Sequence, residues 1–275
     1  ININNKEFKT FVLKELKSIL EDDNIKKVGH NLKFDYKVFK VLNIKLKGIA
    51  FDTLLAAYLI NSSRGLRLEE LAFSYLGYKK SKLTDLLEEK PKNKKEINIR
   101  EIPIDKLAYY AAEDADVTWR LYKKLLIITE KENNIDLLQK IEIPLIPVLA
   151  EMELNGISLN IKFLKKLNKE FSDNLNKLTK KIHKLANSEF NISSPKQLKE
   201  VLFIDLKIDS SKIKKTKTGL STAASELDKM KDYHPIINLI IEYRELSKLI
   251  STYIKALPEL VNKKTKRVHT NFNQT

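Results

Sequence analysis

Two pairs of polar side chains in this sequence have the types and spacing for chemistry on an anionic substrate. Asn31 and Asp35 stand four residues apart, where a short apolar strand hands over to a helix. That spacing lets both face the same side of one turn. Tyr110 and Asp114 are again four apart, and Asp114 shares a helical stripe with Leu107, Ala111, Val117 and Leu121. Burying a carboxylate without a partner costs several kcal/mol, so Asp114 requires an explanation. Capping a neighbouring helix or pairing with a buried lysine would satisfy it without chemistry. Asp35, in a first helical turn, equally suits the positive end of the helix dipole.

The surrounding pattern predicts the elements that hold these groups. Apolar residues at helical spacing mark a helix over 8–20, and Lys26 to His30 reads as a strand entering a helix with Phe34, Val38, Val41 and Leu42 on one face. Ile49–Phe51 reads as a second strand, followed by helices at 53–60 and 68–76. Residues 88–100 read as a solvated loop. A long helix follows Pro103 and carries Tyr110 and Asp114. The polar stretch Lys131–Asp136 is the expected junction, giving domains 1–135 and 136–275. Beyond it the texture is helical: 137–154 ending at Gly156, 161–186, a short helix opened by Ser194-Pro195, and 235–257 with Ile236, Ile240, Leu246, Leu249, Tyr253 and Leu257 inward. Residues 212–219 form a lysine-rich loop. Val268 to Phe272 alternates like a strand.

Composition narrows the partners. The 275 residues carry 51 Lys+Arg against 36 Asp+Glu, a formal net charge of +15. Such an excess favours a polyanion, nucleic acid first. It is spread over both halves, and only six of the basic residues are Arg, so an AT-rich coding bias explains part of it. No apolar run approaches the ~18 residues that span a bilayer. The absence of cysteine excludes disulfides, Cys-ligated zinc and thiol catalysis, and fits a reducing, cytoplasmic setting.

Gly29-His30-Asn31-Leu32-Lys33-Phe34-Asp35 and Tyr110-Ala111-Ala112-Glu113-Asp114-Ala115-Asp116-Val117-Thr118 resemble the second and third motifs of proofreading 3′→5′ exonucleases. They resemble most closely those of family A DNA polymerases, the bacterial DNA polymerase I type. The resemblance implies an RNase H-like fold in which four carboxylates hold two Mg²⁺ or Mn²⁺ ions. It implies that Asp35 and Asp114 are catalytic metal ligands and that Tyr110 orients the attacking water. It also places Asn31 against the DNA. The family's first motif, Asp-x-Glu, does not occur in the thirty residues before Asn31. The expectation is therefore a piece of a longer protein whose exonuclease domain is partial, and a chain inactive by itself. His30 reads as a strand-end residue.

The second half resembles the same family in the same order. Ile141 to Ala150 and Glu153 to Ile157 resemble the entry to the polymerase region, and Asn191 to Leu198, Thr216 to Thr222 and Tyr243 to Tyr253 resemble its thumb. Arg267 to Thr270 resembles the start of the palm. The fold class expected is thus α/β plus all-α: a partial exonuclease domain, then a mainly helical thumb. Arg244, Lys248 and Lys255 recur opposite the apolar face of the last helix, and Lys214, Lys215 and Lys217 lie in the lysine-rich loop. Under the resemblance these contact the phosphates of a primer–template, and single-stranded 3′ ends go to the exonuclease site; otherwise they form an ordinary solvated face. A monomer with no membrane partner is expected. Two other readings stay open: a stand-alone exonuclease of this fold acting on RNA, and a nuclease fold that has lost catalysis and only binds DNA.

Overall fold

The computed structural model describes residues 6–87, 99, 102–216 and 219–275. The loop expected over 88–100 lies outside these apart from residue 99, as does Lys217. The chain forms two compact units, one comprising residues up to Asn155 together with Thr270–Thr275, the other Gly156–His269.

The first unit runs α1 (Lys6–Leu20), β1 (Lys27–Gly29), α2 (Leu32–Val41), β2 (Ile49–Asp52), α3 (Thr53–Ile60), α4 (Leu68–Leu76) and α5 (Ile104–Lys131). It continues through α6 (Ile135–Leu137) and a π-helical segment, Leu138–Glu142, into α7 (Ile143–Asn155). β1 and β2 pair in parallel, with Val28 opposite Phe51 and Gly29 opposite Asp52. Parallel strands need a crossover, and α2 supplies it. Asp52 ties the strand ends to both following helices. Its buried carboxylate accepts the N–H of Leu54 at 2.9 Å as N-cap of α3, and those of Asn31 at 3.1 Å and Leu32 at 2.7 Å at the start of α2. The core gathers Phe51, Leu55, Leu71, Val117, Leu121, Leu125 and Ile146.

Three expectations change here. The stretch Lys131–Asp136 is a turn within the first unit, because α7 returns to pack on α2, and the units divide between Asn155 and Gly156. The stripe Phe34, Val38 and Val41 is exposed, as are Phe11, Leu16 and Ile19 of α1. α2 carries two apolar stripes, and the one with Leu32, Tyr36 and Phe39 meets the core; periodicity alone cannot choose between them. Finally, residues 270–275 are not a strand. Buried Glu153 accepts the Phe272 N–H at 2.9 Å and pairs with Lys33 at 2.7 Å and with Lys37. Lys33 in turn donates to the Phe272 carbonyl, and Gln274 Nε2 reaches the Glu142 carbonyl at 2.6 Å. Burial alone would push the Glu153 carboxyl up, but the two lysines and the Phe272 N–H together hold it below the ordinary glutamate range.

The second unit is helical. α8 (Ile161–Ala186) is capped by Asn160, which accepts the Phe163 N–H at 3.0 Å. Ser194 accepts the Gln197 N–H as N-cap of α9 (Pro195–Lys199), as its Ser-Pro start predicts. A π-helical segment, Glu200–Asp205, leads to a two-residue hairpin, β3 (Lys215–Thr216) with β4 (Gly219–Leu220), and then to α10 (Ala224–Asp228). α11 (Pro235–Lys248) runs through a π-helical segment, Leu249–Lys255, into α12 (Ala256–Glu259). Its core is Ile182, Leu198, Leu202, Leu227, Ile236 and Ile240. Beyond Leu246 the expected inward set fails: Leu249 and Tyr253 are exposed, while Ile250 and Ile254 are buried. On the α period of about 100° per residue, Ile250 and Ile254 fall on the face of Ile236, whereas Leu249 falls on the opposite side. The unit closes where Ile157 and Val268 exchange backbone hydrogen bonds at 2.8 and 2.9 Å. Gly156 has φ +64°, and a Cβ there would lie 2.7 Å from the Val268 carbonyl, so only glycine fits without a shift.

Candidate functional site

Asp35, Tyr110 and Asp114 line one cavity of about 580 Å³ in the first unit, together with His30, Thr118 and Trp119. Asp35 comes from the first turn of α2, His30 from the end of β1, and the rest from consecutive turns of α5. Val117, Leu121 and Leu125 are fully buried and fix the roll of α5, so Tyr110 and Asp114 stand at the rim of that stripe. Burial pushes the Asp35 carboxyl up, and the nearby Asp52 carboxylate adds to it. Burial likewise raises the Tyr110 hydroxyl, with Asp114 second, so the phenol keeps its proton at neutral pH. His30 Nδ1 lies 2.9 Å from Thr53 Oγ1. Burial lowers its pKa more than Asp52 and Asp114 raise it, so the ring is neutral near pH 7.

Asp114 has the partner that its position demands. The Lys80 Nζ lies 2.6 Å from Asp114 Oδ1, 3.8 Å from Glu113 Oε2 and 3.9 Å from the centre of the Tyr110 ring, and donates to the Ser81 carbonyl at 3.0 Å. Only 2% of the Lys80 side chain is exposed. Burial opposes its charge, but Asp114, Tyr110 and Glu113 outweigh that and hold the ammonium above the ordinary lysine range. Glu113 is itself fastened by the Tyr78 hydroxyl at 2.7 Å and the Ser81 N–H. Lys80 escaped the sequence reading because Lys79-Lys80-Ser81-Lys82 looks like any other basic stretch of this chain.

Asn31 does not join this cavity. It has φ +62° and precedes the first turn of α2, so the four-residue helical relation to Asp35 does not apply. It lines a second cavity of about 310 Å³ with Lys33, Lys37, Asp52 and Asn273. The two ions are expected of an exonuclease site with two carboxylates beyond Asp35 and Asp114. Among the described residues no group of three or more His, Asp and Glu is placed to hold a metal ion. Two carboxylates, one of them ion-paired with Lys80, do not make a two-metal site.

In the second unit, Arg244 and Lys248 line a cavity of about 610 Å³ with Lys199, Thr222, Ser247 and Ser251. Arg244 is not a free cation: it donates to the Thr222 carbonyl and approaches the Thr222 hydroxyl at 3.5 Å. Burial lowers its pKa. Lys214 and Lys215 are exposed on and beside the hairpin, and they and Lys255 do not line this cavity. Lys199 and the two serines were missed; hydroxyls beside cations at an α-helical surface were the available signal.

The chain matches two family models in sequence order: 3′-5′ exonuclease over residues 2–130, and DNA polymerase family A over 161–275. It is 41% identical over 254 residues to DNA polymerase I of Chloroflexus aurantiacus, covering 90% of this chain and 26% of that one. With DNA polymerase I of Borreliella burgdorferi it shares 37% identity over 97% of this chain and 28% of the relative. The chain joins a 3′-5′ exonuclease family segment to a DNA polymerase family A segment. It spans about a quarter of the length of these relatives. Among solved structures it is similar to the POL domain of Pol1 from M. smegmatis in complex with DNA primer-template and dNTP, with a TM-score of 0.75 and 29% identity, covering 94% of this chain and 41% of that one. The two matches account for the change of texture along the chain: the α/β elements with Asp35, Tyr110 and Asp114 fall in the exonuclease match, and the basic cavity falls in the polymerase match. Among the described residues, no helix is long and apolar enough to cross a membrane.

Proposed function

We propose that this chain is the proofreading-and-thumb portion of a DNA-directed DNA polymerase of the polymerase I type, serving replication and repair. The first unit contributes one side of a 3′→5′ exonuclease site for single-stranded 3′ ends, and the second holds primer–template DNA. The observation that carries the reading is the meeting of Asp35, Tyr110 and Asp114 in one cavity within the exonuclease match. In that role the protonated Tyr110 hydroxyl orients a water, and the two carboxylates face the scissile phosphate. Divalent Mg²⁺ or Mn²⁺ would need carboxylates beyond these two. Arg244 and Lys248, with Lys214, Lys215 and Lys217, meet phosphates without reading bases, and Asn31 lies beside the DNA strand. The same reading makes the protein a cytoplasmic monomer.

The test is metal-dependent shortening of a labelled single strand by the product of the whole gene, compared with its Asp114→Ala and Asp35→Ala variants. Loss of shortening with primer extension intact supports the reading; equal loss of both activities, or of neither, overturns it. The ion pair between Asp114 and Lys80 favours a second reading, a nuclease fold that binds DNA without cutting it. Absence of shortening by the unaltered whole protein, with DNA binding retained, would select that one.

A further inference from the structure

We propose that Lys80 is a built-in cation of the cavity: it compensates Asp114 and weakens that carboxylate's hold on a multivalent metal ion. The inference rests on reading Asp114 as a site carboxylate and goes beyond it, because it assigns the charge balance of the site to a residue outside both motifs.

The geometry is specific to this role. A lysine serving only to cover apolar surface would extend its ammonium to water. Here the side chain is all but buried, and its Nζ sits 2.6 Å from Asp114 Oδ1 and over the Tyr110 ring at 3.9 Å. Both residues that the third motif contributes are therefore touched by one cation. Its remaining capacity goes to the Ser81 carbonyl at 3.0 Å and towards Glu113 at 3.8 Å. Glu113 is held in turn by Tyr78 and Ser81, so the segment 78–81 is clamped to α5 from both sides. The ammonium thus sits at Asp114 Oδ1, the buried oxygen of that carboxylate. An ion approaching Asp114 must displace Lys80 or share the carboxylate with it, and in a site of reduced dielectric a unit charge at that distance is felt strongly. Lys80 is a positioning residue in this scheme, acting through Asp114 and Tyr110.

Trp119, the single tryptophan of the chain, lines the same cavity. It provides a readout that needs neither DNA nor catalysis: sensitised emission of Tb³⁺, a hard cation that takes oxygen ligands. The experiment titrates this chain with Tb³⁺ and excites Trp119. Lys80→Met should tighten Tb³⁺ binding about tenfold or more over the unaltered chain. Adding Asp114→Asn to Lys80→Met should abolish the gain, and Lys80→Arg, which keeps the charge, should show none. Unchanged affinity in Lys80→Met, a gain in Lys80→Arg, or a gain that survives Asp114→Asn overturns the proposal. If circular dichroism shows Lys80→Met unfolded, the unaltered chain and Asp114→Asn decide it. Similar affinities support compensation of Asp114 by Lys80, and tight binding lost in Asp114→Asn overturns it. A whole protein without exonuclease activity would sink the functional reading and leave the terbium result untouched.

Discussion

The cavity of Asp35, Tyr110 and Asp114 and the cavity of Arg244 and Lys248 solve opposite problems. In and behind the first, most charged groups are held in place: Asp114 by Lys80, Glu113 by Tyr78 and Ser81, and Asp52 by four backbone N–H groups. In the second, Lys248 stands on an exposed helix face, and Arg244 is anchored on Thr222. Under the proposed function, the difference follows from the task of each. Chemistry on one phosphate needs side chains fixed to fractions of an ångström, which burial and ion pairing provide. Holding a duplex by its backbone needs positive charge in roughly the right place, which flexible lysines supply without a fixed geometry.

The contrast predicts where mutations bite. The largest effect should be in the whole protein, where Asp114→Ala lowers 3′→5′ exonuclease turnover about a thousandfold, ~4 kcal/mol of transition-state stabilisation. Lys248→Ala should leave that single-strand rate nearly unchanged; a comparable loss from Lys248→Ala would erase the distinction between the cavities.

Next comes the charge network that supports the first unit. Glu153→Ala strands Lys33 and Lys37 and frees the Phe272 N–H, and should cost about 3 kcal/mol in urea unfolding. Because the folded Glu153 carboxyl lies below its ordinary value, its stabilisation is present above the unfolded glutamate pKa of about 4.3 and is lost as pH falls through the folded value. The stability gap between the unaltered chain and Glu153→Ala should therefore narrow in acid; a gap that is constant from pH 7 to pH 3 would show that packing, not charge, carries it.

Salt dependence of duplex binding tests the other cavity. Lys248→Ala should flatten the slope of log K against log salt by about 0.9, one phosphate's share. Arg244→Ala should flatten it by less and lower stability as well, because the guanidinium already spends donors on Thr222. An Arg244 effect on the slope equal to that of Lys248 would mean the guanidinium leaves Thr222 for DNA.

The smallest effect is at Asp35. Its carboxyl is raised, so the folded chain holds that proton more firmly than the unfolded chain, and stability from this group falls as pH rises past about 3.9. Asp35→Asn should raise Tm by about 2 °C at pH 7 and by nothing in strong acid. A lower Tm at pH 7 would mean the charge is satisfied by a partner, making this cavity less functional in design than the comparison holds.

Much of this was legible from local pattern. Helix α8 and the Ser194 cap arise from apolar periodicity and capping chemistry, which depend on neighbours in sequence. The convergence of Asp35 with Tyr110 and Asp114 was legible only through family resemblance, since nothing local relates residues on two helices. Where the sequence offered two equal choices, it misled. α2 has two apolar stripes, and only packing against the core chose Leu32 and Phe39. Beyond Leu246 the buried residues are Ile250 and Ile254, which share the α-helical face of Ile236, rather than Leu249 and Tyr253.

By itself, then, the sequence determined the order of elements, their caps, the basic excess and the two motifs, because each is set by residue type at short spacing. The tertiary structure decided that the first compact unit extends to Asn155 and takes back residues 270–275, since buried Glu153 is satisfied only with Lys33, Lys37 and Phe272 brought together. It also decided that Lys80, one lysine among many, is the one whose charge is buried against Asp114: a buried ion pair joins residues far apart in the chain, and no spacing rule encodes that meeting.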